Sequence, residues 1–167
     1  MAGQPGKTYL YDHAKRFPFF LKAPKPAETK PMTLSLTHAN DLIRRAIEKA
    51  AADYSRPVCV AICDPAGFLI AFQRVEGAPL RSIAISQGKA YTAARMQVNT
   101  DALLERLRRE NIALSYFCDE GLTALPGGSV IKDAQGAIIG AVGISGLASA
   151  EDQQIANHAA ALAAASS

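Results

Sequence analysis

The chain has 167 residues, 49% of them hydrophobic and 20% charged, enough for one domain with its own core. That size is too small for two ordinary domains, and the composition excludes general disorder. No stretch approaches the roughly 20 apolar residues that span a bilayer. The first residues also lack a signal-peptide core, so a cytoplasmic protein without a membrane partner is expected.

The net charge of +3 is unevenly spread. Residues 1–31 hold six basic residues and two acidic ones, a net of +4. The remaining 136 residues carry 12 basic against 13 acidic, a net of −1. A nucleic-acid-binding domain should show a basic face with a reading element. The local cluster Arg106, Arg108 and Arg109 reads instead as a solvated helix face, so no nucleic-acid partner is expected. Residues 1–31 also contain five of the nine prolines, together with Tyr9, Tyr11, Phe17, Phe19 and Phe20. Proline excludes helix and central strand there, while the aromatics argue against a plain disordered tail. The expectation is a Pro/aromatic-rich arm over 1–31 ahead of a domain over 32–167.

From Leu36 the residues Ala39, Leu42, Ile43, Ala46, Ile47 and Ala50 recur at helical spacing, with Thr37 as the expected N-cap. Val58–Cys63 is an apolar run of strand length. Asp64-Pro65-Ala66-Gly67 has the order of a type I turn, and Phe68–Val75 returns as a second strand. Leu80 to about Arg95 reads as a helix, and Thr100 is placed to cap another over Asp101–Glu110. Residues 111–127 read as loop with a short strand. A second hairpin follows, Val130–Lys132 and Ala137–Ser145 about the turn Asp133–Gly136. Ser149 and Asp152 resemble a capping box opening a last helix, so Asp152 reads as a cap. Tight turns make antiparallel neighbours, and helices gathered beside one antiparallel sheet make an α+β domain.

The cysteines Cys59, Cys63 and Cys118 match no metal spacing, and an odd count without a signal peptide suits a reducing compartment. Cys59 and Cys63 fall on one face of a strand, as small core residues would. His13, His38 and His158 are far apart in sequence, so no metal site is assigned. Each remains a potential axial ligand for a haem iron. Standard hydrolase, nucleotide and metalloprotease signatures are missing.

Four features carry more chemistry. Arg74 ends the second strand beside Glu76. Lys89 lies in the most apolar part of the second helix, where it must reach solvent along its stem or meet an anion. Pro126-Gly127-Gly128 offers bare backbone to a flat or bulky ligand. Asp152 stands at the start of the last helix, where a capping role explains it.

Asp64-Pro65-Ala66-Gly67, Phe72 to Ala78, Ser82-Ile83-Ala84, Lys89 to Ala93, Pro126-Gly127-Gly128, Gly140 to Gly146 and Glu151-Asp152-Gln153, in that order and spacing, resemble the GlcG/HbpS-type family. That family is also called haem-degrading or haem-binding, and it is similar to the C-terminal domain of PduO-type proteins. The resemblance runs from about residue 33 to 164. It implies a profilin-like layered fold, a homo-oligomer, and haem or tetrapyrrole binding or iron handling. The secreted haem-handling branch has acidic residues about a turn before the helix lysine. Here those positions are Ala84, Ser86 and Gln87. No axial ligand follows from a motif; the candidates are His38, Tyr91, Tyr116 and His158.

Three functions stay open. The first is a tetrapyrrole binder whose pocket has Gly127 and Gly128 as floor and Arg74 and Lys89 as partners for propionates or another carboxylate, with Glu76, Tyr91 and Pro126 beside them. The second is an enzyme for a small carboxylated or aromatic metabolite, with Lys89 as electrophile or acid–base group. The third is an oligomeric accessory or assembly protein that docks through its aromatic arm.

Overall fold

The computed structural model describes residues 34–165. The arm expected over 1–31 lies outside them.

Helix α1, Leu36–Tyr54, is followed by the hairpin β1, Cys59–Cys63, and β2, Leu69–Arg74. Helices α2, Arg81–Met96, and α3, Thr100–Glu110, come next, then a single 3-10 turn at Leu114–Phe117. A second hairpin, β3, Gly128–Lys132, and β4, Ile138–Ser145, leads into α4, Ser149–Ala165. The strands form one antiparallel sheet in the order β2-β1-β4-β3. This is the α+β, profilin-like layered architecture expected, with both hairpins where the turns place them.

The differences are local. Ser35, not Thr37, caps α1: its Oγ accepts from the His38 N–H at 3.1 Å. Asn99 stands at the N-cap position of α3, while Thr100 is its first helical residue and turns its hydroxyl toward Gly128. Residues 111–127 contain the 3-10 turn and no strand, and β3 starts two residues earlier than expected.

The two faces of the sheet are packed by different means. One face carries Val60, Ile62, Ile131, Val142 and Ile144, covered by the apolar stripes of α1 and α4. Burying each such side chain contributes about 1.5–3 kcal/mol. The other face meets α2 through small residues, among them Ala61, Ala90, Ala93, Ala94 and Ala141. Its centre is bare: Gly128 and Gly143 are paired across β3 and β4, and Gly143 pairs with Ala61 on its other side. A Cβ on Gly143 would run into the Ser86 carbonyl oxygen and the Ala90 nitrogen, and one on Gly128 into the Lys89 carbonyl oxygen. The helix backbone therefore sits directly on the sheet, an approach only glycine permits. Among the described residues, no helix is long and apolar enough to cross a membrane.

Candidate functional site

Where α2 approaches the sheet this closely, its residues project past the ends of β3 and β4. Lys89 is the largest fully buried side chain among the described residues, 1% exposed. Its ammonium donates to the Ile144 carbonyl at 2.8 Å and to Asp152 Oδ2 at 2.7 Å. Asp152 is itself 2% exposed, and its other oxygen accepts from the Leu147 N–H at 3.1 Å. Asp152 thus does more than cap α4. One oxygen holds the chain entering the helix, and the other neutralises a lysine 63 residues away. Burial pushes the Lys89 ammonium below the usual lysine range and the Asp152 carboxyl above the usual carboxylate range, and their mutual attraction opposes both shifts.

Gly127 closes over this pair. At φ +125° it adopts a backbone that other residues rarely take, and a Cβ there would lie 2.6 Å from the Lys89 ammonium. A network continues beside it. Gln153 accepts from the Gly127 N–H at 2.6 Å and donates to the Gly128 carbonyl and the Ser129 hydroxyl, and Thr100 accepts from the Gly128 N–H at 2.8 Å. Gly127 and Gly128 therefore lie against α2 and α4 and do not floor an open hollow. The glycine pair is needed for the close approach of the protein's own backbone.

The other expected ligand residues are dispersed. Arg74 and Glu76 are exposed at and beyond the end of β2, and no ion pair joins them among the described residues. Arg74 does not line the small cavity that Lys89 borders, so the two cations do not converge there. Pro126 lines a groove between α3 and α4. Tyr91 lines a different cavity of about 400 Å³ with Leu69 and Gly88. Its hydroxyl donates to Asp119 Oδ2 at 2.9 Å, its ring lies against Gly67 and Gly121, and the Arg95 guanidinium stands 5.9 Å from the ring centre. The bond to Asp119 raises the tyrosine pKa.

Of the four candidate iron ligands, Tyr91 is thus engaged, Tyr116 is 72% exposed, and His158 is half-buried on α4. His38 differs. Its Nε2 is shielded from solvent and has no hydrogen-bond partner among the described residues. It lies in the first turns of α1, one turn before the buried Leu42. Leu34, just ahead of this helix, reaches the space beside Gly140 and the Cys63 carbonyl. The α1 N-terminus and the β1–β2 turn therefore share one end of the sheet, and that end exposes Leu36, Phe68 and Leu69. Among the described residues, no group of three or more His, Cys, Asp or Glu is placed to hold a metal ion.

With this geometry described, comparison with known proteins gives a family for the fold. Residues 34–161 match the model of the family described as haem degrading protein HbpS-like, and the chain belongs to that family. Among solved structures, a double mutant of HbpS from Streptomyces reticuli is 28% identical with TM-score 0.71, the alignment covering 95% of this chain and 98% of that one. The PduOC:heme complex is 30% identical with TM-score 0.69, over 78% of this chain and 94% of that one. Among curated proteins, the corrinoid adenosyltransferase PduO of Salmonella typhimurium is 31% identical over 149 residues, 87% of this chain. The chain spans 44% of the length of that relative.

Proposed function

We propose that this protein binds haem or a closely related tetrapyrrole, with His38 Nε2 as its ligand to the metal. The observation that carries the reading is the state of that nitrogen. A buried polar atom without a hydrogen bond costs about 1–3 kcal/mol, so a fold keeps one only where something else satisfies it. Neutral imidazole is the commonest protein ligand to metals and an established axial ligand to haem iron. The apolar side chains exposed at the same end, Leu36, Phe68 and Leu69, are surface of the kind a macrocycle buries. The relative solved with heme and the family description support the same class of ligand. A bound haem would supply an iron open to exchange and redox chemistry; the protein would supply the ligand nitrogen and the apolar cover.

Titration with hemin tests this. The full chain should shift the Soret band with a near-stoichiometric end point, and His38→Ala should weaken binding at least tenfold while Tyr91→Phe leaves it unchanged. A spectrum indistinguishable from free hemin removes the reading. Equal binding by His38→Ala removes the ligand assignment. Self-association belongs to the same proposal, because Leu36, Phe68 and Leu69 could equally be covered by a second copy. Solution mass with and without hemin separates the two covers.

A further inference from the structure

A polar cavity of about 130 Å³ lies at the seam between the first half of α2, the end of β4 and the start of α4. Pockets that take drug-sized ligands measure about 300–1,000 Å³, so this one cannot hold a macrocycle. Its wall includes Arg56, Arg81, Ser82, Lys89, Ser145 and Asp152.

The charges on this wall do not cancel. The Asp152 charge is already matched: one oxygen faces Lys89 and the other accepts from the Leu147 N–H. Glu151 is taken up at the rim, 3.7 Å from Arg56 and accepting from the Ala148 N–H at 2.9 Å. Arg81 has no carboxylate partner among the described residues, although six other ion-paired arginines do. Lys89 carries three N–H donors and uses two.

The hydroxyls are the second observation. Ser82 and Ser145 are buried as residues, line this cavity, and donate no side-chain hydrogen bond to another described residue. Their oxygens are not among the solvent-shielded unsatisfied atoms, so these hydroxyls are free to bond whatever occupies the cavity. Two of them on one small cavity, next to an unpaired guanidinium, form a set of donors without a protein acceptor.

We infer that this cavity is a binding site for a small oxyanion, a carboxylate or a phosphate, held by Arg81 at the rim and by the Ser82 and Ser145 hydroxyls inside. Charge-assisted bonds from a guanidinium to such a group are the strong ones, and a planar fork suits both chemistries. Lys89 sets the positive ground of the site from behind, and Asp152 keeps it in place. The site is independent of the haem reading, because it is too small for a tetrapyrrole and shares no residue with it.

The test uses the full chain in dilute chloride buffer, with inorganic phosphate and acetate as separate probes and sodium chloride at matched ionic strength as control. Melting temperature and calorimetric titration are read together. Saturable binding of one probe identifies its chemistry as the one the site takes, and binding of both identifies a general oxyanion site. Arg81→Glu, on an exposed position, should weaken that binding at least tenfold, and Ser145→Ala severalfold, with the circular dichroism of both unchanged. No saturable binding of either probe overturns the proposal. So does binding that Arg81→Glu leaves intact. Hemin titration of Arg81→Glu should match wild type, so failure here and failure of the haem reading are told apart.

Discussion

The two faces of the sheet solve the same packing problem differently. Under α1 and α4 the contacts are made by Ile62, Val142, Ile144 and Ile155, whose volume fills the gap between layers. Under α2 the gap is closed by removing side chains: Gly128 and Gly143 lie opposite each other and the helix backbone descends onto them. The aliphatic face is insensitive to which apolar group fills it, within limits of volume. The glycine face is fixed by backbone against backbone and has no such tolerance. The close descent also carries Lys89 past the sheet to Asp152, so a buried charge pair forms at the edge of this face.

The largest effect is expected where that face is charged. Asp152→Asn strands a buried ammonium, and breaking one partner of a buried pair costs about 3–5 kcal/mol. Replacing both partners, Lys89→Met with Asp152→Leu, should recover most of the loss, since no charge is then left unpaired. Urea unfolding of the two variants decides the matter. A loss below about 1 kcal/mol for Asp152→Asn would show that the pair does not anchor α4, counting the effect against the ordinary range for point changes.

The contrast in tolerance is sharpened by one methyl group added on one face and one removed on the other. Gly143→Ala must push α2 off the sheet, and a cost of about 3 kcal/mol, at the upper end for overpacking, is expected. Ile62→Val on the aliphatic face should cost about 0.5–1.5 kcal/mol. Equal costs from denaturant midpoints would mean that both faces yield alike, and the distinction would fail.

Much of this architecture is legible along the chain. The stripe Ala39, Leu42, Ile43, Ala46 and Ala50 announces α1, and Asp64-Pro65-Ala66-Gly67 announces the first hairpin, because both signals are local. The cap of α1 is misplaced by two residues because Ser35 and Thr37 are equally able acceptors, and only the backbone path chooses. Lys89 is legible as a cation in an apolar helix that must reach solvent along its stem or meet an anion, and the structure shows the second. Its partner is not legible, because Asp152 satisfies every local rule for a helix start and the contact spans 63 residues. The same non-locality misleads about the glycines. Bare backbone at Gly127 and Gly128 is rightly a place of close approach, but what approaches is α2. Pairing Arg74 with Lys89 rests on chemistry alone, whereas the strand register sets Arg74 opposite Cys59 on the edge strand β2. The imidazole of His38 stands apart from Tyr91 only once hydrogen-bond partners are known.

The smallest effect tests how dry the glycine face is. Cys63 lies there, 2% exposed, with Sγ 3.3 Å from the Ala90 carbonyl oxygen, and burial pushes its thiol up to about 12 from an ordinary 9.0. Between those two pH values the unfolded chain releases a proton that the folded chain keeps. The thiol's contribution to stability is therefore whole below pH 9.0 and is lost as pH rises toward about 12, at about 1.4 kcal/mol per unit. Between pH 8 and pH 10, wild type should lose about 1.4 kcal/mol more than Cys63→Ala, read from urea midpoints. At pH 8 an alkylating reagent should modify the exposed Cys118 and spare Cys63. Identical pH responses in the two proteins, or rapid labelling of Cys63, would mean that water reaches the seam between α2 and β1, and the glycine-packed face would then be the looser of the two.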